Sequence, residues 1–184
     1  MKHTLVALVQ DKPGVLNRVS SMFRRRGFNI SSLAVGHSEV VGLSRMTFVV
    51  EGDDAIVEQV TKQLYKLIDV IRVSNLPAKD SVAREMALIK VNATSQARSE
   101  IIQIVAIFRA AIVDVSTDSL IIEITGVEEK IDSLSELLKP FGKQEVMRTG
   151  RVAMIRGTSS SEDGSNRING ATIMDQPADR DSIL

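Results

Sequence analysis

The residues best suited to chemistry stand at 11–16, where the sequence reads DKPGVL. From Val15 the apolar residues recur with helical spacing, so Asp11, Pro13 and Gly14 precede the first turn of a helix. The N–H groups of a first turn lack partners within the helix and carry partial positive charge, which suits a carboxylate. Gly14 has no Cβ and lets a ligand approach the main chain, while Pro13 fixes the direction in which the chain enters the helix.

The neighbouring residues add two further features of a ligand site. The carboxylate of Asp11 either caps the helix or accepts a hydrogen bond from an ammonium group. A carboxylate-binding turn beside an ammonium acceptor suits a free α-amino acid, and the apolar Val15, Leu16 and Ile30 favour an aliphatic one. On the residues alone this hypothesis is no stronger than a plain turn, because strand-to-helix turns use Pro and Gly routinely.

Signatures of catalysis and of metal binding are missing from the sequence. The chain has no cysteine and two histidines, His3 and His37, neither of which stands near a nucleophile. There is no phosphate-binding glycine loop, no zinc-protease motif and no paired-carboxylate signature. These absences predict a chain that is not an enzyme by itself and that holds no metal or cofactor.

Charge and aromatic content argue against nucleic acids and membranes as partners. The 23 basic and 23 acidic residues cancel, so no net field attracts an anionic polymer or surface. RNA-recognition modules stack bases on aromatic side chains, and this chain has only five Phe and one Tyr. No apolar run approaches the length of a membrane span. We therefore expect a cytoplasmic protein that binds neither nucleic acid nor membrane.

The first half of the chain follows the order strand, helix, strand, strand, helix, strand. The strands are predicted at 4–9, 29–36, 43–52 and 70–76, and the helices at 14–26 and from Asp53 or Asp54 to Ile68. Gly27 is expected to end the first helix in the left-handed conformation, with Phe28 packing back on Phe23.

The second half repeats this order after a polar linker at 77–81. Its strands are predicted at 84–93, 111–115, 119–125, 143–148 and 151–156, and its helices at 99–109 and 128–138. Two copies of one topology predict an α+β protein of two ferredoxin-like βαββαβ domains, each an antiparallel sheet with helices on one face. The second copy is degenerate, since no Pro-Gly pair stands between its first strand and first helix.

These patterns divide the chain into three parts. Residues 1–77 form the predicted effector-binding domain, and residues 78–157 form the second ferredoxin-like domain. Residues 158–184 are rich in Ser, Asp, Gly and Asn and lack periodicity, so they are predicted to be a disordered tail.

Several stretches carry a resemblance to a known family. DKPGVLNRVSSMFRRRGFNISSLAVG followed by LSRMTFVVEG resembles the ACT-domain opening of the small, regulatory subunit of acetolactate (acetohydroxyacid) synthase. Later family blocks resemble residues 62–76, 84–91, 107–115 and 148–157, so the likeness spans 1–157 and leaves out the tail. ACT domains generally bind small effectors, usually amino acids, at interfaces between paired domains.

The resemblance implies a non-catalytic subunit that activates a separate catalytic subunit and confers feedback inhibition, usually by valine. That partner would carry thiamine diphosphate, Mg²⁺ and FAD and would catalyse the entry step to the branched-chain amino acids. The chain would form a homodimer through the ACT domain. One protomer would supply the effector-binding residues Asp11, Pro13, Gly14, Val15 and Leu16, and a second protomer would supply Asn29 and Ile30. Family members often carry an amide where this chain has Asp11.

An alternative is a freestanding ACT protein that senses an amino acid and regulates another target, such as a transcription or transport system. Co-purification with a thiamine-diphosphate enzyme would separate the two hypotheses. The sequence leaves open which branched-chain amino acid binds, because one methylene in an apolar pocket discriminates by only about 1–3 kcal/mol.

Overall fold

The computed structural model describes residues 1–142 and 144–157. The first half contains β1 (Lys2–Gln10), α1 (Val15–Arg26), β2 (Ile30–His37), β3 (Leu43–Glu51), α2 (Asp54–Leu64) and β4 (Val70–Leu76). The second half contains β5 (Ser81–Asn92), α3 (Arg98–Ile107), β6 (Ala111–Val115), β7 (Ser119–Gly126), α4 (Glu128–Leu138), β8 (Gln144–Arg148) and β9 (Val152–Ile155).

The strands form two separate antiparallel sheets with the same order. The first sheet runs β2-β3-β1-β4, and the second runs β6-β7-β5-β8 with β9 also paired to β5. Each sheet therefore has its first strand in the middle, which is the ferredoxin-like arrangement. The predicted fold class is confirmed. The sheets are joined by Pro77 to Asp80, and "first domain" and "second domain" refer below to the predicted ranges 1–77 and 78–157.

Each sheet buries one face under its own two helices. In β1 the alternate residues Leu5, Ala7 and Val9 are fully buried, as expected for a strand with one covered face. They join a core to which α1, α2, β3 and β4 also contribute, and in that core Phe23 of α1 stacks on Phe48 of β3 at 5.4 Å between ring centroids. A second core of the same design lies between β5, β7, α3 and α4.

The end of α1 follows the predicted geometry. Gly27 has a φ of 69°, and its N–H donates to the carbonyl of Arg24 at 3.2 Å. The N–H of Phe28 donates to the carbonyl of Phe23 at 3.0 Å, and the two rings meet edge to face. These paired bonds are those of a Schellman ending, so this prediction is confirmed.

The end of α2 differs from the prediction, and the predicted tail is not described by the structure. The predicted extension of α2 to Ile68 is wrong, because the helix ends at Leu64 and Ile68 is 91% exposed in the turn that follows. In that turn the hydroxyl of Tyr65 accepts from the N–H of Val73 and donates to its carbonyl, which ties the turn to β4 instead. The predicted tail at 158–184 lies outside the described residues.

The register of the first sheet shows which strand ends and turns lie at the same end of the sheet. Lys2 of β1 pairs with Glu51 of β3, and at the other end Gln10 pairs with Leu43. Ile30 at the start of β2 pairs with Val50, next to Glu51. The starts of β1 and β2 therefore share one end of the sheet, and the turn after Gln10 lies at the other end.

Candidate functional site

The Pro-Gly pair forms a defined turn between β1 and α1. Gly14 has φ 87° and ψ −8°, and the N–H of Val15 donates to the carbonyl of Lys12 at 3.3 Å. These values match a type II turn, which favours Pro at its second position and requires a positive φ at its third. The turn geometry alone therefore accounts for Pro13 and Gly14.

The same turn is open to solvent. A Cβ built on Gly14 would meet no atom within 4 Å, so nothing from the described chain covers the main chain there. Gly14 is itself the N-cap of α1, no side chain caps the helix, and its first turn contains no acidic residue. Apart from the N–H of Val15, which donates to the carbonyl of Lys12, the first-turn N–H groups of α1 have no side-chain acceptor among the described residues and are available to an external one.

Asp11 does not cap α1, which excludes one of its two predicted roles. Its N–H donates to the carbonyl of Gly42 at 2.8 Å. Its Oδ2 lies 3.1 Å from Nδ1 of His37, at the end of β2, and both side chains are exposed to solvent. His37 was not predicted to belong to the site, because no sequence pattern connects residues 26 positions apart in a strand and a turn.

The two apolar residues of the predicted site differ in exposure. Val15 is 3% exposed and belongs to the core of the first domain. The helical spacing predicts Leu16 on the same apolar face as Val15, but Leu16 is 45% exposed, because the inward face of α1 is formed by Val15, Val19 and Met22. Leu16 is therefore the apolar side chain that borders the open turn.

Asn29 and Ile30 lie far from this turn within one chain. Ile30 stands in the same row of the sheet as His3, because both pair with Val50. Asp11 is eight residues further along β1, or about 26 Å at roughly 3.3 Å per residue. One chain therefore brings Asp11, Pro13, Gly14 and Leu16 together but leaves Asn29 and Ile30 at the opposite end of the sheet.

An ion pair between a buried carboxylate and a half-exposed guanidinium holds the open turn in place. The carboxylate of Asp69 is largely buried and lies 2.7 Å from Nε of Arg18, one turn into α1. The carbonyl of Asp69 accepts from the N–H of Gln10 at 2.9 Å, at the end of β1. Asp69 thus fixes both elements that flank the Pro-Gly turn. The signal that sequence reasoning missed is an acidic residue between the apolar Leu67-Ile68 and Val70-Ile71.

Residues 1–142 and 144–157 contain neither a cluster of metal ligands nor a helix suited to a membrane. No group of three His, Cys, Asp or Glu side chains among them is arranged to hold a metal ion. None of the helices in these ranges is long and apolar enough to span a membrane.

The chain matches two family models, and the relatives it resembles share the name acetolactate synthase small subunit. Residues 5–72 match a model described as an AHAS small subunit-like ACT domain, and residues 84–157 match one described as the small subunit of acetolactate synthase. A probable acetolactate synthase small subunit of Archaeoglobus fulgidus is 57% identical over 157 residues, which are 85% of this chain and 98% of that protein. The acetolactate synthase small subunit of Mycolicibacterium smegmatis is 55% identical over 155 residues, which are 84% of this chain and 91% of that protein.

A solved structure extends the comparison to three dimensions. The crystal structure of the acetolactate synthase small subunit from Thermotoga maritima matches with a TM-score of 0.81 at 47% identity. The match covers 85% of this chain and 98% of that chain. Both domains and their connection are therefore shared with that protein.

Replacing Asp69 tests whether the ion pair positions the turn. We expect Asp69→Asn to lower the free energy of unfolding by about 1–3 kcal/mol, because it leaves a buried polar group without its charged partner. The control is Glu58→Gln, which breaks the exposed pair with Lys62 on α2 and should leave the unfolding midpoint unchanged. Urea unfolding of both variants measures the difference, and equal midpoints would show that Asp69 has no positioning role.

Proposed function

The chain belongs to the acetolactate synthase small-subunit family, and from that premise we propose that it is the non-catalytic regulatory subunit of this enzyme. It activates a separate catalytic subunit and confers feedback inhibition by valine, within a cytoplasmic complex. The observation that carries the effector role is the uncapped, solvent-open start of α1 at Gly14, beside the Asp11 carboxylate. The match of residues 84–157 to a small-subunit model favours this role over that of a freestanding amino-acid sensor.

In the proposed complex the valine carboxylate accepts hydrogen bonds from the first-turn N–H groups of α1. The valine ammonium group donates to Asp11, and the aliphatic side chain contacts Leu16. An amide is common in the family at position 11, and either an amide oxygen or a carboxylate accepts from an ammonium group. Protonated His37 competes with the ammonium group for the same carboxylate, at 3.1 Å.

A second copy of the chain completes this site. β2 is an edge strand of the first sheet, so its outer backbone groups are available to another strand. Antiparallel pairing of two β2 strands about a twofold axis between Leu33 and Ala34 would place Ile30 of one copy opposite His37 of the other. Because His37 contacts Asp11, such pairing brings Asn29 and Ile30 of one protomer to the open turn of its partner. This geometry supports the proposed homodimer and its shared effector site.

The cofactors of the proposed reaction belong to the catalytic subunit. Thiamine diphosphate, Mg²⁺ and FAD would be bound there, and that subunit would form 2-acetolactate or 2-aceto-2-hydroxybutyrate. The small subunit acts by binding the active form of its partner better than the idle form.

Reconstitution tests the regulatory role directly. With pyruvate and all cofactors supplied, the purified small subunit alone should form no acetolactate. Adding it to the cognate catalytic subunit should raise turnover, and valine should then lower it. Acetolactate formation by the small subunit alone, or unchanged turnover in the mixture, would contradict the proposal.

Substitutions at Gly14 test the effector site. Gly14→Asp places a carboxylate beside that of valine, and like charges repel. We expect the valine concentration for half inhibition to rise more than tenfold, while activation without valine persists. Feedback coupling is typically about 1–3 kcal/mol, so this loss should abolish inhibition at ordinary concentrations.

The matched control for charge is Gly14→Asn. Asn has nearly the same shape as Asp and tolerates the left-handed conformation that Gly14 adopts at φ 87°. Gly14→Asn should therefore be inhibited at a lower valine concentration than Gly14→Asp. A valine titration of the reconstituted enzyme measures both variants. If valine inhibits the Gly14→Asp enzyme as it inhibits the wild type, the Pro-Gly pair forms a turn and does not bind the effector.

Dimerisation should depend on the effector if two protomers share the site. Because valine then binds the dimer and not the monomer, it should shift the monomer–dimer equilibrium toward the dimer by mass action. Sedimentation velocity at several protein concentrations, with and without valine, measures the shift. Tight valine binding by a chain that remains monomeric would contradict a shared site.

A further inference from the structure

The connection between β8 and β9, residues 149–151, joins the second domain to the first. Thr149 anchors it to β5, since its N–H donates to the carbonyl of Met86 at 3.1 Å and its Oγ1 accepts from the N–H of Met86 at 3.1 Å. The N–H of Arg151 then donates to Oγ of Ser32 in β2 at 2.8 Å. Segment 149–151 thus touches the strand that begins with Ile30.

The contact lies on the face of the first sheet that its helices leave uncovered. Thr4 and Ser32 both pair with Val49, so their side chains lie on the same face of the sheet as that of Val49. The next residues along β1 and β3, Leu5 and Phe48, point to the opposite face and are buried under the helices. The guanidinium of Arg151 lies between Thr4 of the first domain and Glu128 of its own domain. Its Nη1 donates to Oγ1 of Thr4 at 3.3 Å, and its Nη2 donates to Oε2 of Glu128 at 2.8 Å.

Gly150 allows the two domains to approach this closely. It has a φ of 81°, and a Cβ built on it would lie 2.9 Å from Oγ of Ser32 and 3.0 Å from the carbonyl oxygen of Leu33. The first distance is shorter than real Cβ contacts, and the second is tighter than most of them. Any side chain at this position therefore pushes segment 149–151 away from β2.

Around this contact the domain interface is loosely filled. A cavity of about 550 Å³ borders Arg151 together with Lys2 and Thr4, and another of about 310 Å³ borders it together with Ser32 and Val49. Interfaces between domains that are polar and incompletely packed allow relative motion of the domains. In this loosely filled interface, Arg151 of segment 149–151 supplies direct hydrogen bonds from the second domain to Ser32 and Thr4 of the first.

The contact is close to the proposed effector residues. Ser32 follows Ile30 by two residues, and the pairing of β2 with β3 shifts register between them. Such a bulge sets the direction in which the following side chains point. A ligand held by Asn29 and Ile30 consequently acts on the position of the Ser32 hydroxyl.

We propose that Ser32, Gly150 and Arg151 are positioning residues that transmit effector binding from β2 of the first domain to the second domain. The inference rests on the proposed function, because it concerns the response to valine. Binding at the Ile30 end of β2 moves the Ser32 hydroxyl, and segment 149–151 follows with the second domain attached. Valine affinity and valine inhibition then depend on different residues.

Ser32→Ala and Gly150→Ala test this with two different lesions in the full-length chain. Ser32→Ala removes the acceptor for the Arg151 N–H, and Gly150→Ala pushes segment 149–151 off β2. The first control is Ser31→Ala, whose hydroxyl bonds to Glu51 inside the first domain at 2.9 Å. The second control is Gly157→Ala, which has a similar φ of 66° and no atom within 4 Å of the built Cβ.

Two quantities are measured for each variant. Calorimetric titration of the small subunit gives the valine dissociation constant, which should stay within about threefold of wild type. The ratio of turnover without valine to turnover at saturating valine in the reconstituted enzyme should fall about fivefold for both test variants and remain unchanged for both controls. A purely local effect on folding would not separate these two quantities.

The outcomes are distinct. Saturating inhibition of Ser32→Ala and Gly150→Ala equal to wild type would overturn the inference and leave the proposed function intact. Loss of valine binding in parallel with inhibition would also overturn it, since these residues would then support the effector site itself. A wild-type chain that neither binds valine nor confers inhibition would overturn the proposed function and the inference together.

Discussion

The antiparallel register of β1, β2 and β3 is the constraint on which the rest of the molecule depends. It places the turn at Gly14 and the start of β2 at opposite ends of one sheet, about 26 Å apart at roughly 3.3 Å per residue. No change of side-chain rotamer closes such a gap. A ligand that uses both groups must therefore use two copies of the chain, which links ligand binding to dimerisation by mass action.

The second domain has the same topology as the first but lacks the Pro-Gly turn before its first helix, α3. There Nη2 of Arg98, the first residue of α3, donates to the carbonyls of Ala93, Ser116 and Thr117 at 3.2, 2.7 and 2.8 Å, which ties the helix start to the connection between β6 and β7. The first turn of α3 also contains an acidic residue, Glu100, whose charge suits the helix dipole, whereas the first turn of α1 contains none. The repeated fold thus has a negative charge of its own at the helix start of the second domain and none at that of the first.

The sequence predicts the elements well and their contacts poorly, for a physical reason. Helical spacing, a left-handed Gly27 and the Asp53 cap of α2 are local, and the structure has all three, with the Asp53 carboxylate accepting from the N–H of Ile56 at 2.9 Å. The exposure of Leu16 and Ile68 was missed, because the exact rotation and end of a helix depend on tertiary packing. The contact of Asp11 with His37 joins residues that are distant in sequence, and no local pattern contains it.

The domain interface has the energetics that a switch requires. One ion pair crosses it, from Lys2 to Glu128, and the pairs of Glu128 with Arg151 and of Glu85 with Arg148 at 3.2 Å lie beside it within the second domain. Burial raises the pKa of the Glu85 carboxyl above its ordinary value, and the Arg148 guanidinium opposes that shift. Burial therefore disfavours the ionised form of Glu85, and exposed ion pairs such as Lys2–Glu128 add only about 0–1 kcal/mol.

Such an interface is stabilised by an amount comparable to the coupling it would transmit. Allosteric coupling between two sites is typically about 1–3 kcal/mol, and a single hydrogen bond such as that from Arg151 to Ser32 contributes about 0.5–1.5 kcal/mol. A large apolar interface would be worth many times more, and an effector could not change its geometry. The close approach at Gly150 adds a steric limit, since the segment either fits against β2 at the observed distance or leaves it. Weak polar contacts with one tight steric point are what the proposed transmission requires, because a small ligand is able to bias an interface of this strength.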